Sequence, residues 1–263
     1  TGKNYHTTSS IVKTIEEHAN ELALVMLSGV NYYSGQFFNI KEITTAAHKA
    51  GAIAGFDLAH AAGNLPLHLH NWEVDFAVWC NYKYLNSGPG AIAGTFVHQK
   101  HGNNPDLPRF AGWWGYPEKN RFKMPKEFVP APGAEGWQLS NAPILAMAPV
   151  KASYEIFAQA GMLALREKSI LLTGYLEFLV NELNRQRQQQ MVSIITPEDP
   201  EERGCQLSLI VEGGKQVFKQ VMANGVILDW REPNIMRAAP VPLYNSFEDV
   251  YHFVRILENS LPR

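Results

Sequence analysis

Two residues of this chain have the types and the spacing to share one ligand. Asp57 follows the apolar run 52–56, and Lys83 follows the apolar run 74–79 by way of Cys80, Asn81 and Tyr82. Each run reads as a buried strand, so a carboxylate and an amine stand just past the ends of consecutive strands. A lysine among apolar and aromatic neighbours is costly unless something engages it. An amine that can condense with an aldehyde, facing a carboxylate that can hold a proton on a pyridine nitrogen, is the pair that pyridoxal phosphate (PLP) needs. Plainer readings exist: Lys83 as a solvated cation, and Asp57 as a helix cap. Side by side, the two favour the ligand. The turn Ser87-Gly88-Pro89-Gly90 lets the backbone come close to a ligand or a neighbouring strand, although turn chemistry alone would explain its glycines.

The elements that must position this pair can be read from the pattern. A helix is expected over 10–19, capped by Ser9 or Ser10, with Ile11, Val12, Ile15 and His18 near one face. A strand over 22–27 ends at Ser28-Gly29, a helix over 40–50 follows Asn39, and further strands fall at 52–56, 74–79 and 91–97. Apolar strands alternating with helices predict an α/β fold, a parallel or mixed sheet covered on both sides. Ser28, Asp57, His60, Tyr82 and Lys83 then sit at its carboxyl edge, where ligands of open α/β sheets bind. Prolines at 105, 108, 117, 125, 130, 132 and 143 rule out long regular elements. The loop 105–140 also holds Trp113, Trp114, Tyr116 and Trp137, as a segment covering a pocket or meeting a partner subunit would. Residues 143–184 read as one or two long helices with Leu163, Leu165, Ile170, Leu171, Leu176 and Leu179 in the core. Residues 188–190 (Gln-Gln-Gln) read as a solvated helix end. Strands at 192–195, 207–211 and 225–228 and helices at 215–223 and 247–257 complete a small α+β unit. The expected division is a large α/β domain over 1–145 and a small domain over 146–263.

Composition narrows the function class. The 263 residues carry a formal net charge of −2, with 46% hydrophobic and 18% charged positions and no block of one sign. Nothing suggests a nucleic-acid or acidic-membrane partner. Two cysteines cannot build a disulfide framework, so a reducing, cytoplasmic setting is expected. No run approaches the roughly 20 apolar residues that cross a bilayer, no signal-peptide pattern opens the chain, and no metal site is expected. The chain starts at Thr1 without an initiator methionine and reads as entered partway through a longer protein.

Longer strings carry a family resemblance. Residues 56–72, Phe-Asp-Leu-Ala-His-Ala-Ala-Gly-Asn-Leu-Pro-Leu-His-Leu-His-Asn-Trp, and 74–90, Val-Asp-Phe-Ala-Val-Trp-Cys-Asn-Tyr-Lys-Tyr-Leu-Asn-Ser-Gly-Pro-Gly, resemble kynureninases. Shorter matches fall in family order at 27–30, 112–115, 121–124, 140–144, 203–208, 229–233 and 237–245, so the resemblance covers essentially the whole chain. It implies the PLP-dependent transferase-like fold (fold type I, aspartate aminotransferase-like), with a large-domain sheet incomplete at the N-terminus and a small C-terminal α+β domain. It implies Lys83 as the Schiff-base lysine, Tyr82 on the cofactor phosphate and assisting proton transfer, and Asp57 on the pyridine nitrogen. His60 and Ser28 are implied as further cofactor contacts, and Arg237 as the clamp on the substrate α-carboxylate, a task its planar fork suits. Trp113 and Asn141 are implied to reach the site from the other subunit of a homodimer. Taken singly, Arg237 also reads as a surface ion pair, Trp113 as loop packing and Asn141 as a helix cap.

The implied reaction is hydrolysis of L-kynurenine, or its 3-hydroxy form, to anthranilate, or 3-hydroxyanthranilate, and L-alanine. That reaction belongs to tryptophan catabolism, the kynurenine pathway and NAD biosynthesis. The family also uses upstream residues for the phosphate cup, for a ring stacked on the pyridine and for a second acid, and no segment here supplies them. Two rivals stand beside this reading. One is another PLP enzyme of the same fold, a desulfurase or aminotransferase; a desulfurase would keep a mobile-loop cysteine, which fits neither Cys80 nor Cys205. The other is an inactive remnant that only associates with a partner subunit.

Overall fold

The apolar runs of the N-terminal half pair side by side. In the computed structural model, which describes residues 5–123 and 125–262, β1 (Leu24–Ser28), β2 (Ile53–Asp57) and β3 (Phe76–Cys80) run parallel, and β4 (Ala93–Val97) closes the β3 edge antiparallel. The sheet is therefore mixed. Its register sets Ser28 beside Asp57 and Asp57 beside Val78, so β1 and β2 end level and β3 runs two residues further, to Cys80. Thr1 and Met124, the latter closing one matched string, lie outside the described residues.

Two helices cover one face. Helix α1 (Thr8–Glu17) is capped by Thr7 rather than Ser9 or Ser10: the Thr7 hydroxyl accepts the Ser10 amide at 3.2 Å, and both serines already lie inside the helix. His18 leaves the apolar stripe, sits at the C-cap and pairs with Glu21 at 2.7 Å. In α2 (Ile40–Lys49), Asn39 accepts the Glu42 amide at 3.1 Å. Ile15, Ile40 and Ile43 pack with Val25, Ala54, Phe56 and Leu58 into one core. The other face does not match the expectation of helices on both sides. Leu24, Met26 and Ile53 alternate with buried Val25 and Ala54 and are 44%, 48% and 41% exposed, so apolar strand residues on that side have no cover among the described residues.

The amino end of β3 is pinned by one carboxylate. Asp75, 2% exposed, accepts from the Ala54 amide at 2.7 Å and faces His48 at 2.7 Å, His101 at 2.6 Å and Lys100 at 2.8 Å. These partners come from α2, β2 and the short α3 (Gln99–Gly102), which sequence periodicity did not announce. Burial alone would raise the Asp75 pKa. The Ala54 amide, then Lys100, His101 and His48, outweigh it and hold the carboxyl well below the usual range.

Residues 105–140 form no long element, as the prolines require, and contain two single turns of 3₁₀ helix, Trp113–Gly115 and Gly133–Trp137. Arg121 lies 3.8 Å over Trp114 and Arg109 lies 4.3 Å over Trp137, which ties the loop to itself. Two helices follow, α4 (Ile144–Ala160) and α5 (Met162–Arg187), broken at Gly161 where φ is +77°. Leu165 and Leu176 are buried as expected, and Ile170 and Leu179 partly so. Leu163 and Leu171, 71% and 62% exposed, lie on the outward arc of α5 and not in the core. Helix α5 joins two cores: Leu165 packs in the first, and Leu172, Leu176, Val180 and Leu183 pack in the second.

The second sheet is antiparallel, in the order β5-β6-β8-β7, from β5 (Val192–Ile194), β6 (Leu207–Val211), β7 (Asp229–Arg231) and β8 (Ile235–Ala238), with α6 (Gly214–Ala223) and α7 (Phe247–Ser260). The strand expected at 225–228 does not form. Gly225 takes a φ of +89° after α6, Ile227 is 89% exposed, and pairing begins only at Asp229. Strand β8 is too short, and too interrupted by Arg237, to give a periodic signal.

Asp75→Asn keeps the shape and removes the charge that Lys100, His48 and His101 face. Loss of one member of a buried ionic cluster predicts a destabilisation of about 3–5 kcal/mol, read from the urea unfolding midpoint at neutral pH. The native pKa is depressed, so this stabilisation is present above the ordinary carboxylate range and lost below about pH 4, where the unfolded chain takes up the proton first. Wild-type and variant stabilities should converge there.

Candidate active site between the two sheets

The turn that carries Lys83 is built from buried hydrogen bonds. After β3, the Ser87 amide donates to the Asn81 carbonyl at 3.0 Å and the Asn86 amide to the Lys83 carbonyl at 2.9 Å, with Asn86 at a φ of +55°. The buried Asn81 side chain holds the turn from outside. Its Nδ2 donates to the Ile92 carbonyl at 2.7 Å, and its Oδ1 accepts from Trp79 Nε1 at 3.1 Å and the Tyr154 hydroxyl at 2.9 Å. Helix α4 thus braces the lysine turn through Tyr154, and again through Ser153, whose hydroxyl donates to the Leu85 carbonyl. Asn81, Ser153 and Tyr154 were not singled out in the sequence, because nothing in a lone Asn, Ser or Tyr announces a brace.

Lys83 Nζ lies 3.0 Å from His60 Nε2. Burial lowers the His60 pKa to about 4, helped by the positive charges of Lys83, Arg237 and Arg231 against the opposing pull of Asp57. The ring is therefore neutral near pH 7. Its Nε2 accepts from the lysine, which leaves the proton on Nδ1, and Nδ1 is buried without a partner. Asp57 ends β2, and its Oδ1 accepts the Ala59 amide at 2.8 Å; no helix follows for it to cap, and the bond closes a local turn with one oxygen only. Ser28 ends β1, half-buried beside Asp57 in register, and the Gly29 amide donates to the Asp57 carbonyl at 2.8 Å. Tyr82 is 53% exposed, with its phenol pKa raised by the adjacent Cys80.

Arg237 arrives from the other sheet. Only 9% exposed, it donates from Nη1 to the Tyr32 carbonyl at 2.7 Å and from Nη2 to Asp229, which faces it across the β7–β8 pair. It is an ion pair whose guanidinium is buried while the Asp229 carboxylate stays partly exposed, not the fully exposed surface pair that its type alone suggests. Asn64 fastens the same junction, donating to the His60 carbonyl at 3.0 Å and accepting the Cys205 amide at 2.9 Å. Gly204 is needed there, since a Cβ would fall 2.2 Å from the Asn64 amide nitrogen. Trp113 and Asn141 stand apart. Trp113 packs on Trp114 and Phe122, and Asn141 accepts from the Ser140 hydroxyl at 3.2 Å with no cap on α4. Neither touches Lys83, His60, Asp57 or Arg237 among the described residues. Of the residues missed in the sequence, Asp229 lies inside a matched string and could have been weighed; the Tyr32 carbonyl, being backbone, leaves no sequence signal.

An amine, a carboxylate with one oxygen uncommitted, and a buried imidazole N–H without an acceptor fit the polar edge of a pyridine aldehyde. An arginine across the same space suits a carboxylate. The site also has a pH signature. His60 is depressed in the fold, so the unfolded chain protonates first. Stability should fall as pH drops from about 6.5 toward 4, by about 2 kcal/mol after discounting for partial exposure. His60→Gln should flatten that stretch of a thermal-melt pH series while leaving the loss below pH 4, which belongs to Asp75.

Residues 165–257 match the kynureninase C-terminal domain, and residues 3–102 match aminotransferase class-V. The chain is 56% identical over 252 residues to the kynureninase of Flavobacterium johnsoniae, and 55% identical over 254 residues to that of Stenotrophomonas maltophilia. Each alignment covers 95% of this chain and 59% of the relative, so the chain spans about three-fifths of these curated relatives. Among solved structures, the apo cysteine desulfurase of Thermococcus onnurineus NA1 superposes with a TM-score of 0.74 at 17% identity, over 98% of this chain and 63% of that one. The cystine C-S lyase C-DES, solved in complex with its product cysteine persulfide, gives a TM-score of 0.78 at 18% identity, over 96% and 65%. These structures establish the fold, that of fold-type I PLP enzymes, and the sequence comparisons establish the lineage: the chain belongs to the kynureninase family.

Proposed function

We propose that this chain carries the site of a PLP-dependent kynureninase, a hydrolase acting on a carbon–carbon bond of a ketonic substrate. It would cleave L-kynurenine, or its 3-hydroxy form, to anthranilate, or 3-hydroxyanthranilate, and L-alanine. The observation that supports it best is the meeting of Lys83 and His60 at 3.0 Å, with Asp57 at the adjoining strand end and Arg237 acting on the same imidazole from the second sheet. When bound, PLP supplies an aldehyde that an amine can hold and a protonated ring that withdraws electrons from the substrate.

The chain's own residues do the rest. Asp57, with Oδ1 on the Ala59 amide, has Oδ2 left over and would keep a proton on the ring nitrogen. Lys83 Nζ would hold the aldehyde until the substrate amine displaces it, and the freed amine would then move the proton at the substrate Cα. His60 Nε2 steers that amine, and its unpartnered Nδ1–H would offer a hydrogen bond to the bound group. Ser28 and Tyr82 line the same edge of the sheet, Tyr82 toward the phosphate. Arg237 orients the substrate through its carboxylate.

A second copy of the chain fits the rest of the surface. Phe110, Phe122, Ile144 and Leu145, between 79% and 90% exposed, flank Trp113 and Asn141, which a homodimer would bring to the neighbouring site. The expected division near residue 145, a cytoplasmic setting and a role in tryptophan catabolism toward NAD belong to the same proposal. The desulfurase reading is disfavoured by the thiols. Cys205 is fully buried with its pKa pushed up to about 12, and Cys80 is half-buried at the end of β3.

Adding PLP should turn the protein yellow, and feeding L-kynurenine should then release fluorescent anthranilate. Lys83→Ala should abolish the colour and lower turnover by at least about 10³-fold. Either signal surviving that substitution would refute the role given to Lys83.

A further inference from the structure

Arg237 is a buried cation with few partners. Its Nη1 has the Tyr32 carbonyl, its Nε is buried without an acceptor, and among the described residues Asp229 is the one carboxylate paired with it. Asp229 stands directly opposite Arg237 in the β7–β8 register, and the same oxygen, Oδ2, also pairs with Arg231 at 3.0 Å. Both arginines act electrostatically on His60, so this Arg–Asp–Arg row borders the Lys83 site.

A guanidinium grips a carboxylate along one edge with two parallel donors. Nε and Nη2 form such an edge: Nε is uncommitted, and Nη2 has a second hydrogen beyond the one given to Asp229. The edge is useful only if the side chain is kept in one rotamer, because a free arginine loses considerable entropy on being ordered. Two contacts keep it there, a backbone carbonyl and Asp229. Without Asp229 the buried charge would retain a neutral acceptor alone, and rotation into solvent would become the favoured way to regain hydration.

We propose that Asp229 is the positioning residue of the Arg237 clamp, holding the guanidinium edge toward the Lys83–His60 pair, with Arg231 steadying Asp229. The proposal rests on the reading of Arg237 as the partner of a substrate carboxylate.

The test uses the full chain carrying Asp229→Ala, Asp229→Asn and Asp229→Glu. In ¹⁵N spectra of the arginine Nε–H groups, the Arg237 signal is identified by its loss in Arg237→Lys. It should be sheltered from water in the unsubstituted protein and in Asp229→Glu, and should exchange at least about ten-fold faster in Asp229→Ala. Unchanged exchange in Asp229→Ala overturns the proposal; if that variant fails to fold, the same comparison in the near-isosteric Asp229→Asn decides it. With PLP bound, KM for L-kynurenine should rise about ten-fold in Asp229→Ala while kcat stays within about two-fold, and Asp229→Glu should recover most of the loss. A fall in kcat at constant KM also overturns it. If Arg237→Lys itself leaves KM unchanged, the reading of Arg237 has failed, and the exchange measurement still decides whether Asp229 holds the side chain.

Discussion

The site depends on a seam of backbone carbonyls in the loop after β1. Tyr32 offers one carbonyl to two side chains of the second sheet, Gln206 Nε2 at 3.0 Å and Arg237 Nη1 at 2.7 Å, and the Tyr33 carbonyl accepts the Ser208 hydroxyl at 2.6 Å. Gln36 bridges Arg203, and the Phe37 amide donates to the Glu202 carbonyl at 2.8 Å. A loop lying between two sheets is partly cut off from water, and its polar groups must be paired or carry the cost of burial. Pairing them with β6, β8 and the segment before β6 is what fastens the second sheet to the loop after β1. An arginine more than 150 residues beyond Lys83 is thereby carried to its neighbourhood.

Once the sheets meet there, the electrostatics follow. Three cations, Lys83, Arg237 and Arg231, act on one half-enclosed imidazole, and the single opposing carboxylate among the causes of its shift is Asp57. A histidine so placed is held neutral, and a neutral histidine can accept from a lysine where a charged one would repel it. The stacked constraints are mutually supporting. Asn64 ties the His60 carbonyl to the Cys205 amide, so the segment bearing the histidine and the strand approaching Arg237 are fastened by one side chain. Asn81 and helix α4 do the same for the lysine turn. The reactive groups hang on loops, yet those loops are braced by buried polar side chains from more than one element.

The sheet face that carries Asp57 is also an exposed apolar surface of the large unit. Side chains alternate along a strand, so Leu24, Met26 and Ser28 share a face, and the parallel register puts Ile53 and Asp57 on the same one. The residues that line up the strand ends therefore also present leucine, methionine and isoleucine to solvent. This exposure continues the theme of the 105–145 segment, whose outward phenylalanines and aliphatics surround Trp113 and Asn141. Both surfaces are larger than scattered single apolar residues would make them, and both ask for protein cover.

What the sequence determined by itself was local or adjacent. Asp57 and Lys83 were readable as strand-end residues because buried strands are short apolar runs, and because consecutive parallel strands place their carboxyl ends together. The proline-rich loop was readable because proline removes donors whatever surrounds it. The exact cap of α1 was not, since Thr7, Ser9 and Ser10 have nearly equal capping chemistry and only the helix start chooses among them. Strand β8 and the outward phase of Leu163 and Leu171 were not either, because burial on α5 is dictated by which side the two cores lie on. The tertiary structure alone decided that Arg237 would face Asp229 and a tyrosine carbonyl, and that His60 would be neutral. The Arg237–Asp229 pair is local to one hairpin, but the Tyr32 carbonyl lies 205 residues away in the chain, and a linear pattern carries no record of which backbone carbonyl will need a donor once the sheets close.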